Sequence, residues 1–354
     1  MPRLAVASSR RRRPRHVPAA ESMSHGDGVR VGLLLPTREA RVAGRDDPAP
    51  LLDLAQEAEG LGYDSLWAGD SPIARPRLDP VTLLAAVAAR TERVTVGTAV
   101  LLGSLRHPVV TAHALATLDR IAGGRLIVGL GAGFPLPATA LEFEAAGVPF
   151  RQRVGRLHET VRLWRLLWAD REDGTPVDFD GRYFQVRDLE LSPKPAQSGG
   201  PPLWLAGSSP SAMERAGASF DGWLPYPPNA AQYASEWATV AASAEAAGHG
   251  RAITPGLYAT VVLEDDEASA QQALDHYCQA YYGFGVDVMR QVQAFYGGTP
   301  AGCVEWLAGY VAGGADHVVL RFATLTDPRP MVRRAAEELV PMLRTDVHRA
   351  QAPA

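Results

Sequence analysis

Lysine is almost absent from this chain of 354 residues: Lys194 is the only one, and the other 34 of its 35 cationic side chains are arginines. Enzymes that form a Schiff base, hold pyridoxal phosphate or grip a nucleotide through a Walker loop all need a suitably placed lysine. Lys194 lies between Pro193 and Pro195, in an extended segment with no apolar run around the amine. The sequence therefore argues against these three function classes.

Cysteine and long apolar runs are also scarce. The two cysteines, Cys278 and Cys303, cannot build the disulfide framework of a small secreted protein. No stretch approaches the roughly 18 consecutive apolar residues that indicate a membrane span. We therefore predict a reduced, cytoplasmic protein with no membrane partner and no metal site.

The basic charge is concentrated at the start of the chain. Residues 1–22 carry six arginines against the single acid Glu21, a net charge of +5, so the remainder carries −9 of the total of −4. Prolines interrupt this segment, which lacks the apolar core of a signal peptide. We predict that residues 1–28 form a disordered arginine-rich tail without a nucleic-acid partner, with Met23 as an alternative start of the protein. Residues 344–354 are predicted to form a flexible C-terminal tail.

From residue 29 onward, short β-branched runs alternate with stretches of helical periodicity, which is typical of a parallel sheet covered by helices. Eight such units predict an α/β fold, a single (β/α)8 TIM-barrel domain over residues 29–343. A doubly wound open sheet is the alternative, but no dinucleotide fingerprint follows the first strand. Residues 177–191 break the rhythm with alternating aromatics around Asp180 and Gly181, which indicates a short inserted antiparallel hairpin. The predicted barrel strands are 29–35, 63–67, 94–100, 125–130, 202–206, 222–224, 257–263 and 317–322, and residues 267–296 are predicted to be largely helical.

Two polar residues follow predicted strands at the end of the barrel where this fold assembles active sites. Asp70 comes after the second strand and His107 after the third. Either side chain could handle a proton there. The alternatives are that Asp70 only forms a turn before Ser71 and that His107 is structural.

Two loops rich in glycine and serine end the fourth and fifth strands. Residues Gly131–Gly133 remove side chains where a strand leaves the sheet, so a flat ligand can approach the backbone. Residues Gly207–Ser209 precede a helix that starts at Pro210, and hydroxyls beside free N–H groups suit a phosphate. The alternatives are a plain turn and plain N-capping. Together the loops predict a phosphate-bearing cofactor, with Arg321 at the end of strand eight as a further phosphate contact.

At these residues the sequence resembles the luciferase-like flavin-dependent oxidoreductases, TIM barrels of the bacterial luciferase type that bind reduced flavin mononucleotide (FMN) or the deazaflavin coenzyme F420. The resemblance spans about residues 29–343. It rests on short stretches that occur in the family's order: 96–100, 106–108, 116–120, 123–125, 129–133, 147–150, 193–195, 221–223 and 313–318. It implies a barrel with FMN or F420 at its mouth, supported by a non-prolyl cis peptide at Ala99–Val100.

The same resemblance implies which residues form the site. The implied cofactor contacts are Thr98, Ala99, Val100, Gly131, Ala132, Gly133, Gly207, Ser208 and Ser209, and the implied substrate pocket is Trp67, Phe134 and Trp223. Deazaflavin sugar-phosphate dehydrogenases of the family carry Asp-His after strand two, where this chain has Asp70 and Ser71. They carry a glutamate after the strand-four glycines, where this chain has Phe134 and Pro135. An apolar Phe134 favours an apolar or aromatic substrate, with the chemistry carried by the cofactor.

We therefore predict a monooxygenase that uses reduced FMN and oxygen on a small organic substrate, with Asp70 and His107 as its catalytic proton-handling groups. One alternative is an F420-dependent dehydrogenase or reductase that transfers hydride. A second alternative is a non-catalytic flavin-binding protein. The predicted partners are the small-molecule substrate, a separate flavin or F420 reductase, and further copies of the chain in a homodimer or higher homo-oligomer.

Overall fold

The structure is a computed structural model that describes residues 28–171, 175–248 and 252–344. The predictions made for the two tails fall almost entirely on residues outside these ranges, and so does the alternative start at Met23. Among the described residues, no helix is long and apolar enough to cross a membrane. Cys278 and Cys303 are both buried and free.

Eight parallel strands close into a barrel in the order β1, β2, β3, β4, β7, β8, β9, β11 and back to β1, which confirms the predicted fold. The strands are β1 Arg30–Leu34, β2 Ser65–Ala68, β3 Thr95–Leu101, β4 Leu126–Leu130, β5 Val177–Asp180, β6 Gln185–Leu189, β7 Leu203–Leu205, β8 Gly222–Trp223, β9 Thr254–Leu263, β10 Phe295–Gly298 and β11 His317–Phe322. Strands β5 and β6 pair antiparallel in a separate sheet, which confirms the inserted hairpin.

Helices follow the barrel strands and cover the outside of the sheet. They are α1 Thr37–Val42, α2 Ala49–Gly60, α3 Pro80–Arg90, α4 Pro108–Ile121, α5 Pro137–Ala145, α6 Arg153–Trp168, α7 Pro210–Ser219, α8 Ala230–Ala246, α9 Glu267–Tyr282, α10 Val286–Met289, α11 Pro300–Ala312 and α12 Arg329–Arg334. Three of them begin with proline directly after a capping side chain, Asp79, Ser209 or Thr299. Each cap accepts a hydrogen bond from the first turn, and proline needs no such partner, so these starts are fixed by local sequence.

Strand β9 is longer than its neighbours and pairs with different strands at its two ends. Its first residues, Thr254 and Pro255, pair with β8, and its last four residues pair with β10. The prediction that residues 267–296 are largely helical is therefore wrong from Phe295 onward. Phe295 and Tyr296 favour a strand, and they form one because the end of β9 has an edge that the short β8 leaves open.

Two tryptophans fill the interior of the barrel beneath its mouth. Trp67 on β2 and Trp204 on β7 lie with ring centroids 5.3 Å apart and have almost no exposed surface. Glycines on neighbouring strands make room for them. A Cβ on Gly97 would lie 2.5 Å from the Trp67 ring, and one on Gly222 would lie 2.4 Å from the Trp204 ring. Because the interior is packed in this way, any ligand must lie above these rings.

The single lysine stabilises the end of a helix. The Lys194 ammonium group donates hydrogen bonds to the carbonyl oxygens of Leu167, at 2.7 Å, and Ala169, at 3.2 Å. These carbonyls belong to the C-terminal end of α6, where a positive charge and a donor both stabilise the helix. Lys194 therefore caps a helix.

Candidate active site

A cavity of about 500 Å³ opens at the C-terminal ends of the barrel strands. This volume lies within the range of about 300–1,000 Å³ that is usual for small-molecule and cofactor sites. The loops after β2, β4 and β7 contribute to its wall, as do α6, α7 and the end of β11. The site is therefore where the fold class places it.

The centre of the cavity floor is formed by a bulge in β3. The Ala99–Val100 peptide is cis, as the family resemblance implied, and the pairing of β3 with β4 shifts register between Thr98 and Leu101. Ala99 and Val100 both line the cavity. Gly131 lies against this bulge, where a Cβ would come within 2.5 Å of Val100 Cγ2. The result is a shallow, side-chain-poor surface on which a flat ring can rest.

The loop after β7 forms one end of the cavity. Gly207, Ser208 and Ser209 all line it. Gly207 has a φ of +128°, a conformation that favours glycine. The Ser209 hydroxyl accepts a hydrogen bond from the amide of Ala212 and caps α7, so the capping alternative holds for this serine. Pro210 has no N–H, and the amides of Ala212 and Met213 both donate to Ser209, so the first turn of α7 offers an anion the N–H of Ser211, beside Ser208.

Two arginines and a histidine that the sequence prediction missed join this loop. Arg153 and His158 on α6 and Arg215 on α7 line the cavity together with Ser208. The Arg153 Nε atom is buried and has no hydrogen-bond partner among the described residues. Burial and the neighbouring charge of Arg215 lower the pKa of His158. Their donors, the Ser208 hydroxyl and the end of α7 fit a phosphate, and we name these four residues the phosphate end.

Asp70 lines the cavity, but its carboxylate is already engaged. It accepts hydrogen bonds from the backbone N–H of Leu102, at 3.1 Å, and from Arg106, at 3.0 and 3.1 Å. Arg106 also forms an ion pair with Asp79. Burial raises the pKa of Asp70, and the Arg106 charge opposes that rise. Asp70 therefore ties the loop after β2 to the loop after β3, and its catalytic role stays a prediction.

His107 and Thr98 do not reach the cavity. His107 is exposed at the start of α4, with its ring edge toward Phe184 at 6.4 Å. Thr98 is fully buried and donates its hydroxyl to the carbonyl oxygen of Gly129 at 2.7 Å. The structure thus places both outside the lining of the cavity, and the catalytic role of His107 and the cofactor contact of Thr98 stay predictions. Thr98 instead holds β4 against the bulged strand.

The two tryptophans assigned to the substrate pocket also lie elsewhere. Trp67 points into the barrel interior, where its indole N–H donates to Ser65 Oγ at 2.7 Å. Trp223 is fully buried beneath the loop after β7 and donates to the carbonyl oxygen of Gly207 at 3.0 Å. Both side chains are fully buried and neither lines the cavity, so the structure does not bring them to Phe134, and their assignment to the substrate pocket stays a prediction. Phe134 does line the cavity, at its mouth near Tyr226.

The opposite side of the cavity carries a second group of arginines. Arg321 at the end of β11 and Arg75 and Arg77 in the loop after β2 line it together with Tyr258 and Tyr282. Strands β11 and β2 each lie three strands away from β7 around the barrel. The predicted phosphate contact requires Arg321 to lie beside the loop after β7. In the structure it does not.

Comparison with known proteins identifies relatives of this arrangement. A model of the luciferase-like monooxygenase family matches residues 29–317. An F420-dependent glucose-6-phosphate dehydrogenase of Kineococcus radiotolerans is 38% identical over 210 residues, 57% of this chain and 57% of the relative. One of Mycobacterium avium is 34% identical over 189 residues, 50% and 53% of the two chains. The match thus spans only a little more than half the length of these curated relatives.

Solved structures share the fold over most of the chain. Monooxygenase RslO1 from Streptomyces bottropensis superposes with a TM-score of 0.74 and 24% identity, covering 88% of this chain and 99% of that one. An F420-dependent secondary alcohol dehydrogenase in complex with an F420-acetone adduct superposes with a TM-score of 0.74 and 20% identity, covering 90% and 99%. At these identities the similarity establishes the barrel fold alone.

Proposed function

Since this chain belongs to the luciferase-like monooxygenase family, we propose that it is an F420-dependent oxidoreductase that transfers hydride between coenzyme F420 and a small organic molecule. The observation that supports this most strongly is the name shared by its curated relatives, which are F420-dependent dehydrogenases up to 38% identical to it. They favour the hydride-transfer alternative over the FMN monooxygenase that the sequence first suggested.

The charge of the cavity supports the same proposal. Five arginines line it, whereas its lining carboxylates are Asp70, already paired with Arg106, and Glu142. Arg153 and Arg215, at the phosphate end, suit the phosphodiester and the glutamate carboxylates that coenzyme F420 carries beyond its ring.

The residues present suggest how such a cofactor would be held. The bulge at Ala99–Val100, with Gly131 beside it, would support the flat ring, and the phosphate end would hold the phosphate through Ser208, Arg153 and Arg215. When bound, the deazaflavin ring supplies the hydride chemistry. The contribution of the chain is to orient the ring, to exclude water from it and to neutralise the anionic tail.

The chain departs from the sugar-phosphate dehydrogenase pattern where protons would be handled. Ser71 stands in place of histidine and donates its hydroxyl to Glu142 Oε1 at 2.7 Å. Glu142 also accepts from the backbone N–H groups of Ile73 and Ala74, so it braces the loop after β2. Phe134 occupies the position of the expected glutamate. We therefore propose hydride transfer without assigning the glucose 6-phosphate of the named relatives.

The test is to titrate the purified protein separately with F420 and FMN, in reduced and oxidised forms. We expect tighter binding of F420, and hydride transfer that proceeds without oxygen. Arg153→Gln should weaken F420 binding about tenfold or more, because it removes a charge-assisted contact. Arg151→Gln, at an exposed residue two positions before α6, is the matched control and should leave it unchanged. Tight FMN binding with oxygen-dependent turnover would establish the monooxygenase instead, and no binding of either cofactor would refute both.

A further inference from the structure

Four arginines converge at the side of the cavity opposite the phosphate end. Arg75, Arg77 and Arg321 line the cavity there, and Arg38, the second residue of α1, packs its guanidinium over the Tyr281 ring at 4.2 Å. They lie at the end of β11, in the helix after β1 and in the loop after β2, and these three strands are neighbours in the barrel. We call this group the arginine end.

Within the described residues, none of these four guanidinium groups takes part in an ion pair. Arg321 donates to Thr260 Oγ1 and to the Tyr282 hydroxyl, both neutral acceptors. Arg38 donates to the carbonyl oxygen of Tyr281 at 2.7 Å, while its Nη1 atom is buried and has no partner. Arg77 donates through Nε to the carbonyl oxygen of Arg75, and its Nη1 packs beside Gly69. The remaining donors of Arg75 and Arg77 are available to a ligand.

The charge at this end is poorly balanced. Glu39 is the nearby buried acid, and its carboxylate receives a hydrogen bond of 2.6 Å from the Tyr277 hydroxyl. Burial lowers the pKa of Arg38, and the charges of Arg75 and Arg77 lower it further. Arg321 is 3% exposed, and a buried charge normally requires a partner of opposite sign. Glu39 and Glu142, which braces the loop that carries Arg75, are two carboxylates against four cations, so positive charge remains in excess at this end of the cavity.

We propose that the arginine end binds an anionic group, a carboxylate or a phosphate, of the organic substrate. This inference rests on the proposed function, because it assigns the second molecule of the same reaction. Guanidinium groups bind planar carboxylates and phosphates through paired hydrogen bonds, and Arg75 and Arg77 have such donors free. The Tyr282 ring, 5.2 Å from the Arg75 guanidinium, gives the substrate body an aromatic surface beside this group.

The cofactor does not account for the arginine end. We assign the cofactor phosphate to the phosphate end, which lies on α6, α7 and the loop after β7. The ring support at Ala99–Val100 belongs to β3, between the phosphate end and the arginine end. A substrate held at β11 and β2 would therefore face the ring from the side away from the cofactor phosphate. Two separated cationic ends in one cavity fit two anionic ligands.

The experiment uses full-length protein saturated with F420, so that the cofactor's own anion site is filled. Inorganic phosphate, benzoate and the neutral analogue benzyl alcohol are titrated separately by calorimetry. We expect saturable binding of phosphate or benzoate, whichever anion the site prefers, and none of benzyl alcohol. Arg77→Gln and Arg75→Gln should each weaken that binding about tenfold or more, and Arg77→Lys should restore part of it. F420 affinity should stay the same in all three variants.

Arg90→Gln is the surface control, since Arg90 lies on α3 in an exposed ion pair with Asp53. Anion binding that is as tight in Arg77→Gln and Arg75→Gln as in the unaltered protein, or equal binding of the neutral analogue, would overturn the inference. Failure of F420 binding would refute the proposed function separately. The anion titration would then be made on the protein alone, where loss in Arg77→Gln but not in Arg153→Gln would still support the arginine end.

Discussion

Replacing Trp223 by phenylalanine separates the role that the structure gives this residue from the one that the sequence suggested. In the structure, Trp223 lies beneath the loop after β7 and holds Gly207 through one hydrogen bond of 3.0 Å. Its ring stacks on Trp237 with centroids 6.2 Å apart. Phenylalanine keeps an aromatic ring in the same layer but removes the indole N–H and part of the ring volume.

The expected loss of stability follows from these two changes. A hydrogen bond of this kind contributes about 0.5–1.5 kcal/mol net to the free energy of unfolding. A void of roughly 40 Å³ in a fully buried position adds about 1 kcal/mol, at ~24 cal/mol per Å³. We therefore expect Trp223→Phe to lower the free energy of unfolding by about 2 kcal/mol. Because Gly207 then loses its anchor, cofactor affinity should fall roughly fivefold, equivalent to about 1 kcal/mol.

Urea unfolding measures the first effect, and titration with F420 measures the second. Trp237→Phe is the matched control, since Trp237 packs against the same ring but is half-buried and does not hold Gly207. It should reduce stability less and leave cofactor affinity unchanged. If Trp223→Phe instead left cofactor affinity intact and raised only the KM for substrate, the residue would line the pocket and the structural reasoning would be refuted.

Three further changes test other parts of the fold and site. Lys194→Met should reduce the free energy of unfolding by about 1 kcal/mol in urea titrations without changing F420 affinity, because it removes the donor at the end of α6. Gly131→Ala should weaken F420 binding, measured by fluorescence titration, because its Cβ would lie 2.5 Å from Val100 Cγ2 and displace the bulge; unchanged affinity would place the ring elsewhere. Burial opposes ionisation of Glu59, but three backbone N–H groups hold its pKa below the ordinary value. The stability that Glu59 adds is therefore full above that ordinary value and lost as the pH falls through the folded pKa. Glu59→Gln should lower the urea midpoint at pH 7, and the difference from the unaltered protein should shrink as the pH falls below the ordinary value.

Local sequence was enough for the parts of the fold that depend on neighbouring residues. Ser209 with Pro210 starts α7 as predicted, and Asp79 with Pro80 starts α3 in the same way, because a cap and its first turn lie within a few residues of each other. The hairpin at 177–191 was likewise predictable from alternation around a turn. Strand β10 was not predictable from local sequence, since its partner is the end of β9, about 35 residues earlier in the chain.

The candidate site was predictable only in its loops. Gly131–Gly133 and Gly207–Ser209 follow barrel strands directly, so the fold class alone brings them to the mouth. The direction of a side chain on a barrel strand was not predictable, because both faces of such a strand are buried and hydrophobic alternation does not separate them. This is why Trp67 and Thr98 were assigned to the mouth although they lie in the barrel wall and interior.

By itself, the sequence determined the succession of strands and helices, the family, and the loops that line the cavity, since these follow from periodicity, short motifs and chain order. Only the tertiary structure decided which charged side chains face the cavity. Arg153, His158 and Arg215 lie on helices whose rotation about their own axes is set by packing against the barrel. The arginine end is likewise formed by strands that are distant in the chain and become neighbours only when β11 pairs with β1.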